Sequence, residues 1–296
     1  MKTRTRLIVL FLLPAGLLYG GLFLMPTTWS LYYSLFDFKG FSDVMEFVGL
    51  DNFRRMGTDP VFWLSLRNSL YILFAGGIVT FLLAFALSVM INSGIKGKRF
   101  FRAAIFLPNV IATIALTTMW MVAIYGPKTG ILPNAFKALG LAKAAAFLWM
   151  SSEHVFNSMV VAIVWVSVGY YIVLILAGMD KVPPELYEAA KLEGAGQVRV
   201  FRTITVPLIW DVIVICFVTW GIGALKVFEF PFSFTGAGED PHLYTLNVYL
   251  YIMGFGKRNP IYQLGYASAI GVVLIFLALV FNWGLRRLMR RETVQY

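Results

Sequence analysis

The feature that most constrains this chain is the recurrence of apolar runs about 20 residues long, nearly free of charge. They occupy approximately residues 7–26, 69–91, 103–124, 157–179, 207–227 and 264–285. Each is about long enough for an α-helix to cross a ~30 Å hydrocarbon core. Inside that core the backbone must satisfy its own hydrogen bonds, and a helix does so within one segment. Only 14% of the residues are charged and 59% are hydrophobic, against about 25% charged in a soluble domain. The expected architecture is therefore an all-α integral membrane protein with six transmembrane helices, one domain over residues 1–296. The first run follows Lys2, Arg4 and Arg6, as a signal peptide would. It is long, holds Pro14 and Gly16, lacks a clear small-x-small cleavage site and leads into Trp29, Tyr32 and Tyr33, so it reads as a retained span with interfacial aromatics.

Charge distribution sets the orientation. The net charge is +10, which invites a nucleic-acid reading. The basic residues instead flank apolar runs. The four segments 1–6, 94–102, 180–206 and 286–296 hold 15 of the 25 Lys and Arg residues. This bias puts both termini and the 180–206 loop on the cytoplasmic side and excludes nucleic acid as a partner. Cys216 lies within an apolar run and reads as a buried inert thiol. His154 and His242 have no partner at metal-ligand spacing, so no metal site is expected. No Gly-rich phosphate loop ending in Gly-Lys-Ser/Thr occurs, and no Ser-His-Asp set is evident. The chain is expected to hydrolyse nothing and to bind no cofactor.

Between the spans lie outer segments at 37–66, 125–155 and 228–263. The second carries Lys137 and Lys143 among Ala and Leu, a pattern that suggests a surface-lying helix. Polar groups within spans are functional candidates by default. Few exist. Ser167, Gly169, Tyr170 and Tyr171 cluster in the fourth run, and Trp220, Gly221 and Gly223 in the fifth, with Lys226 and Glu229 at i, i+3 if that helix continues. Small residues also mark tight helix contacts, and aromatics mark headgroup interfaces. Asp211, one turn beyond Pro207, reads as a solvated helix end.

The 180–206 loop is the long polar segment flanked by spans on both sides. Pro183 and Pro184 suit a helix start, and Glu185 and Glu188 favour the positive end of its dipole. Val182, Leu186, Ala189, Ala190 and Leu192 supply one apolar face, and Gly194 and Gly196 let the chain reverse. Glu188-Ala189-Ala190, three residues, Gly194, nine residues, then Ile204-Thr205-Val206-Pro207 matches a known signature. It resembles the cytoplasmic Glu-Ala-Ala loop of permease subunits in binding-protein-dependent bacterial ABC importers, with Val206 where Leu is usual. Phe106-Leu107-Pro108, the Phe47 to Phe53 segment, Leu225-Lys226-Val227-Phe228-Glu229, Thr235-Gly236-Ala237-Gly238 and Leu264-Gly265-Tyr266-Ala267-Ser268-Ala269 extend the resemblance over nearly the whole chain. The chain looks like the carbohydrate-uptake type, similar to the maltose-type first permease without its additional N-terminal spans. It departs at Ala237 and Glu239-Asp240, where contacts with a binding protein are expected to differ.

The resemblance implies a type I ABC importer permease fold with the coupling loop at 180–206. It implies a multi-pass protein of the bacterial cytoplasmic membrane that moves a sugar, oligosaccharide or related polyol or glycoside. Implied partners are a second, different permease chain, two ATPase subunits that hold ATP and Mg, an extracytoplasmic solute-binding protein, the sugar and the lipid bilayer. It assigns ATPase coupling to Glu188, Ala189, Ala190, Gly194, Ile204 and Pro207. Ser167, Tyr170, Tyr171, Trp220 and Gly223 become candidates for the substrate path. Such a path, with aromatics and no mid-span charge, suits a neutral saccharide. The alternative is an autonomous ion-coupled carrier. That class favours inverted repeats and buried ionisable groups, and neither is evident here.

Overall fold

The computed structural model describes residues 2–40, 45–93, 95–235, 240–256, 259 and 261–290, with the backbone alone over 2–7. Gly94, Gly236, Ala237, Gly238, Glu239 and Arg291 lie outside the described residues. Helices dominate, and the described residues hold one two-stranded pairing. The contacts divide the chain into two compact units, Met1–Trp63 with Leu246–Leu277, and Leu64–Thr245 with Ala278–Tyr296.

In the first unit, α1 runs from Lys2 to Tyr33, with a π-helical stretch at Gly20–Leu24. Its membrane-length portion is Ile8–Tyr33, well beyond the apolar run at 7–26, and none of those residues is buried within the chain. The short strands β1 (Phe36–Asp37) and β2 (Glu46–Phe47) pair antiparallel, Phe36 opposite Phe47. Helix α2 (Asp51–Thr58) follows. Buried Asn52 donates its amide to the carbonyls of Ser34 and Phe36, at 2.9 and 3.0 Å, and so fixes α2 to the chain leaving α1.

Asp59 organises the rest of this unit. It precedes α3 (Pro60–Asn92) and caps it: Oδ1 accepts from the N–H of Val61 at 2.9 Å and of Phe62 at 3.2 Å. Its other oxygen accepts from the hydroxyls of Tyr249, on α13 (Leu246–Phe255), and Tyr266, on α14 (Leu264–Leu288). The Arg55 guanidinium lies 4.4 Å from the centre of the Tyr266 ring. Burial works to raise the Asp59 carboxyl, but the two tyrosines and the two N–H groups together hold it below the usual carboxylate range. Gly265 packs directly on the backbone; a Cβ there would fall 2.0 Å from the Phe36 carbonyl oxygen.

In the second unit, α3 and α8 (Val155–Met179) form the centre, with Ile72, Ala84, Met159, Ile172 and Ile175 fully buried. A helix interface in a membrane depends on close approach of small residues, and three such notches are present. A Cβ on Gly77 would sit 2.5 Å from the Trp220 indole nitrogen, and one on Gly178 would sit 3.1 Å from Val212. One on Gly169 would sit 2.2 Å from the Ile105 carbonyl oxygen. Trp220 belongs to α11 (Trp210–Leu225).

The third apolar run differs from a continuous span. Helix α4 (Lys98–Val110) and α5 (Thr113–Ile124) meet at a 100° bend. Pro108 supplies no N–H, the last turn of α4 tightens to 3-10 geometry at Leu107–Val110, and Ile111 and Ala112 are extended. The Asn109 amide donates to the Val166 carbonyl of α8 at 3.1 Å, anchoring the bend. The outer segment after α5 carries α6 (Ile131–Ala138) and α7 (Ala142–Ala145), where Lys137 and Lys143 are exposed. Beyond the 180–206 loop, which carries α9 (Pro184–Leu192) and α10 (Gln197–Val200), α11 ends at Leu225 and α12 (Glu229–Phe234) begins anew, so Lys226 and Glu229 do not share one helix.

Replacing Asp59 by Ala removes the cap and strands two tyrosine hydroxyls. The expected cost is roughly 2–4 kcal/mol, read as a lower unfolding temperature of the detergent-solubilised protein, with Asp59→Asn in between. The Asp59 contribution is present above about pH 4 and is lost as pH falls through its depressed folded value.

Candidate coupling loop and transport path

Helix α8 stops at Met179, and Asp180 follows as its C-cap residue. The Asp180 carboxylate accepts from Arg102 Nη2 at 2.8 and 3.1 Å and from Lys98 Nζ at 3.3 Å. Lys98 and Arg102 are one turn apart on α4, so both reach the same carboxylate. Burial tends to raise this carboxyl, but the hydrogen bonds and charges of Arg102 and Lys98 outweigh it and hold it below the usual range. The start of the loop is thus bonded to α4.

Pro183 then takes an extended conformation and Pro184 opens α9 (Pro184–Leu192), with Glu185 in the first turn and Lys191 in the last, both signs matching the helix dipole. The helix closes in a Schellman motif. Ala195 N–H donates to the Ala190 carbonyl at 2.9 Å, and Gly194 N–H donates to Lys191 at 3.1 Å. Gly194 has φ +73°, the left-handed conformation this motif demands. Nothing lies within 4 Å of where its Cβ would be, so the demand is backbone alone. Gly196 has φ −69° and serves as the N-cap of α10 (Gln197–Val200). A π-helical stretch at Phe201–Thr205 leads to Pro207. The hydroxyls of Tyr187 and Thr205 lie 3.2 Å apart and tie α9 to this return strand of the loop. Between them is a cavity of about 620 Å³ lined by Asn92, Asp180, Tyr187, Lys191, Gln197 and Thr205, among others.

The apolar face expected on α9 is only half used within the chain. Val182 and Ala190 are buried, while Leu186, Ala189 and Leu192 are exposed, Leu192 to 89%. Val198 is 79% exposed. Glu188 and Pro207 are exposed, and Ile204 is half-buried.

The five candidates for the substrate path separate into two groups. Tyr171 and Trp220 are buried, their ring centres 6.1 Å apart, around Phe81 and Phe217. The Trp220 indole N–H donates to the Leu73 carbonyl at 2.8 Å, so its polar edge is spent on packing. Tyr170 is exposed with its ring set edgewise on Tyr171, Gly223 is exposed with open space around it, and Ser167 is half-buried and donates to Ile163 in its own helix. Asp211 is an exposed residue in the first turn of α11, and Cys216 is a buried free thiol. The sequence does not display the Asp180 cluster or the Tyr187–Thr205 contact. The i, i+4 spacing of Lys98 and Arg102 is the one visible sign of the first, and the second has none.

The profile of the family described as "Binding-protein-dependent transport system inner membrane component" matches residues 83–294. The chain belongs to this family. It is 35% identical over 269 residues to the diacetylchitobiose uptake system permease protein NgcF of Streptomyces coelicolor, covering 87% of this chain and 75% of that one. It is 32% identical to the probable ABC transporter permease protein YurN of Bacillus subtilis, covering 92% of both. In fold it matches a chain of a bacterial ABC transporter involved in import of the acidic polysaccharide alginate, with TM-score 0.81, 22% identity and coverage of 99% and 98%. The permease therefore has the type I ABC importer fold and is a multi-pass inner-membrane transport subunit. It is not an enzyme. Family membership sets aside the ion-coupled carrier.

Asp180→Asn in this permease weakens both contacts to α4. Ion pairs this exposed contribute about 0.2–1 kcal/mol, so the unfolding temperature should fall little. Binding-protein-stimulated ATP hydrolysis by the assembled transporter should fall severalfold, and an unchanged rate would show that the cluster does not transmit motion.

Proposed function

We propose that this chain is one of two different permease subunits in an importer for a neutral saccharide, driven by two ATPase subunits and fed by an extracytoplasmic solute-binding protein. The observation that carries this reading is the 180–206 loop: a braced helix with unused apolar side chains, Leu186, Leu192 and Val198, beside an exposed carboxylate at Glu188. Exposed leucines and valines at this density are a docking surface rather than a solvated turn. In the proposed mechanism Glu188, Ala189, Ala190, Gly194, Ile204 and Pro207 build the element that seats on an ATPase subunit. ATP and Mg belong to that subunit, and this chain binds no cofactor. The whole of 1–296 acts as one permease domain, with both termini and this loop cytoplasmic.

The saccharide preference rests on two points. The diacetylchitobiose relative carries a saccharide in its name. On this chain the exposed members of the candidate path are Tyr170, Gly223 and, in part, Ser167, an aromatic ring and small groups without charge. An aromatic face suits the apolar face of a sugar ring, and a full charge there would be desolvated at a cost. Tyr171 and Trp220 support that wall from behind.

Gly194→Asp forces a side chain into a left-handed conformation at roughly 1 kcal/mol or more and should abolish transport with the protein still inserted. Glu188→Lys opposes the helix dipole by roughly 0.3–1 kcal/mol and should weaken transport. Both are measured as binding-protein-stimulated ATP hydrolysis in the reconstituted complex, with ATPase association followed alongside. Full stimulation by Gly194→Asp would remove the loop from the coupling path.

For orientation, reporters fused after Arg291 and within 96–102 should read cytoplasmic, and one at 236–240 extracytoplasmic. A C-terminus found outside would overturn the proposed topology.

A further inference from the structure

Two cavities in the second unit share residues. One is apolar, about 650 Å³, with walls from α3, α4 and α8 that include Val79, Leu83, Ile105, Val161 and Val164. The other is polar, about 500 Å³, and is lined by Arg67, Asn68, Glu153 and His242 among others. Tyr71 and Asn157 line both. Together they make one groove, charged at one end and apolar below. The charged end lies at the start of both α3 and α8, opposite the end of α8 that leads to the coupling loop. From Tyr71 to Leu83, α3 advances about 18 Å at 1.5 Å per residue, slightly more than half of a ~30 Å hydrocarbon core.

Two observations specify what fits. Arg67 and Glu153 line the same pocket, and neither forms an ion pair among the described residues. Asn68 is fully engaged in a different task, donating to the carbonyls of His242 and Tyr244 at 2.9 Å each, and so holds the pocket wall in place. One pair of opposite charges above an apolar slot matches a zwitterionic lipid: a phosphate for Arg67, an ammonium for Glu153 and an acyl chain for the slot.

We propose that this groove seats one amine-bearing phospholipid, of the ethanolamine type, in the outer leaflet. The leaflet rests on the orientation given under the proposed function; the site itself does not. Around α8, Val168 of the groove and Tyr170 of the path are roughly 200° apart, whereas Ser167 stands about 20° from Val160 of the groove. A lipid seated here packs against α3, α4 and α8 together, on the side away from Tyr170.

The test uses the assembled transporter, with all its subunits, in lipid nanodiscs containing phosphatidylethanolamine with a photoreactive acyl chain. Labelled residues are mapped by mass spectrometry. The expected result is labelling concentrated on Val161, Val164 and Trp165. Arg67→Gln with Glu153→Gln removes both charge-assisted contacts and should lower it by at least about tenfold, while labelling at exposed Leu279 on α14 stays unchanged. A phosphatidylglycerol probe with the same chain should label the groove less. Equal labelling by the two lipids, or indifference to the double substitution, would overturn the proposal. So would a photo-crosslinker at position 161 that captures the second permease chain instead of lipid. Binding-protein-stimulated ATP hydrolysis in the same preparations scores the importer reading independently, since the lipid site is scored by labelling alone.

Discussion

A backbone carbonyl inside a bilayer has no water to bond, and the second unit is arranged around that constraint. At two places where its helices depart from regular geometry, a side chain from a neighbouring helix donates to a backbone carbonyl. The π-helical stretch Ile72–Gly76 has the Trp220 indole N–H on the Leu73 carbonyl. The bend between α4 and α5 has Asn109 bonded across to Val166. These polar contacts require close approach, and glycine provides it: Gly77 accommodates Trp220, and Gly169 accommodates the Ile105 carbonyl. Trp220 closes over the notch at Gly77 and joins an aromatic cluster with buried Phe81 and Tyr171, beside which Phe217 is half-buried.

Hydrogen-bond geometry also explains why the Glu-Ala-Ala motif has its spacing. In a Schellman closure the residue in left-handed conformation stands four positions after the carbonyl that accepts the long bond. Here that carbonyl belongs to Ala190 and the left-handed residue is Gly194. The final Ala of Glu-Ala-Ala and the Gly four residues later therefore belong to one hydrogen-bonded ring, which the Ala195 N–H closes on the Ala190 carbonyl. Ala190 is also the buried residue of α9, so a larger group there meets the chain. Ala189 and Glu188 are exposed, so their identities answer to whatever covers the loop rather than to the loop's own packing.

Much of this was legible in the sequence because it depends on local chemistry. Apolar run length located the membrane helices, and proline, acid and glycine positions located the start and end of α9. What escaped depends on contacts between distant segments. The 103–124 run looks continuous because composition does not register a bend; only Pro108 with Asn109 hinted at it. Tyr170 and Tyr171 are adjacent and chemically alike, yet one is exposed and one buried, because helix rotation is set by the glycine notches of neighbouring helices. Asp180 looked like the first polar residue after a span, and its two cations lie about 80 residues earlier.

These contacts bear on how force could pass through the loop. A short helix at a membrane surface is marginal by itself, and a push on a loose helix would be absorbed by the loop. Here α9 is held at three points: Asp180 bonds its approach to α4, the Schellman ring closes its end, and Tyr187 with Thr205 joins it to the segment entering α11. In the proposed mechanism a displacement of α9 must therefore be shared by α4, α8 and α11. Of these, α8 and α11 carry Tyr170 and Gly223. The cytoplasmic surface and the candidate sugar path then move as parts of one braced body, which is what conversion of ATPase closure into a change of access requires.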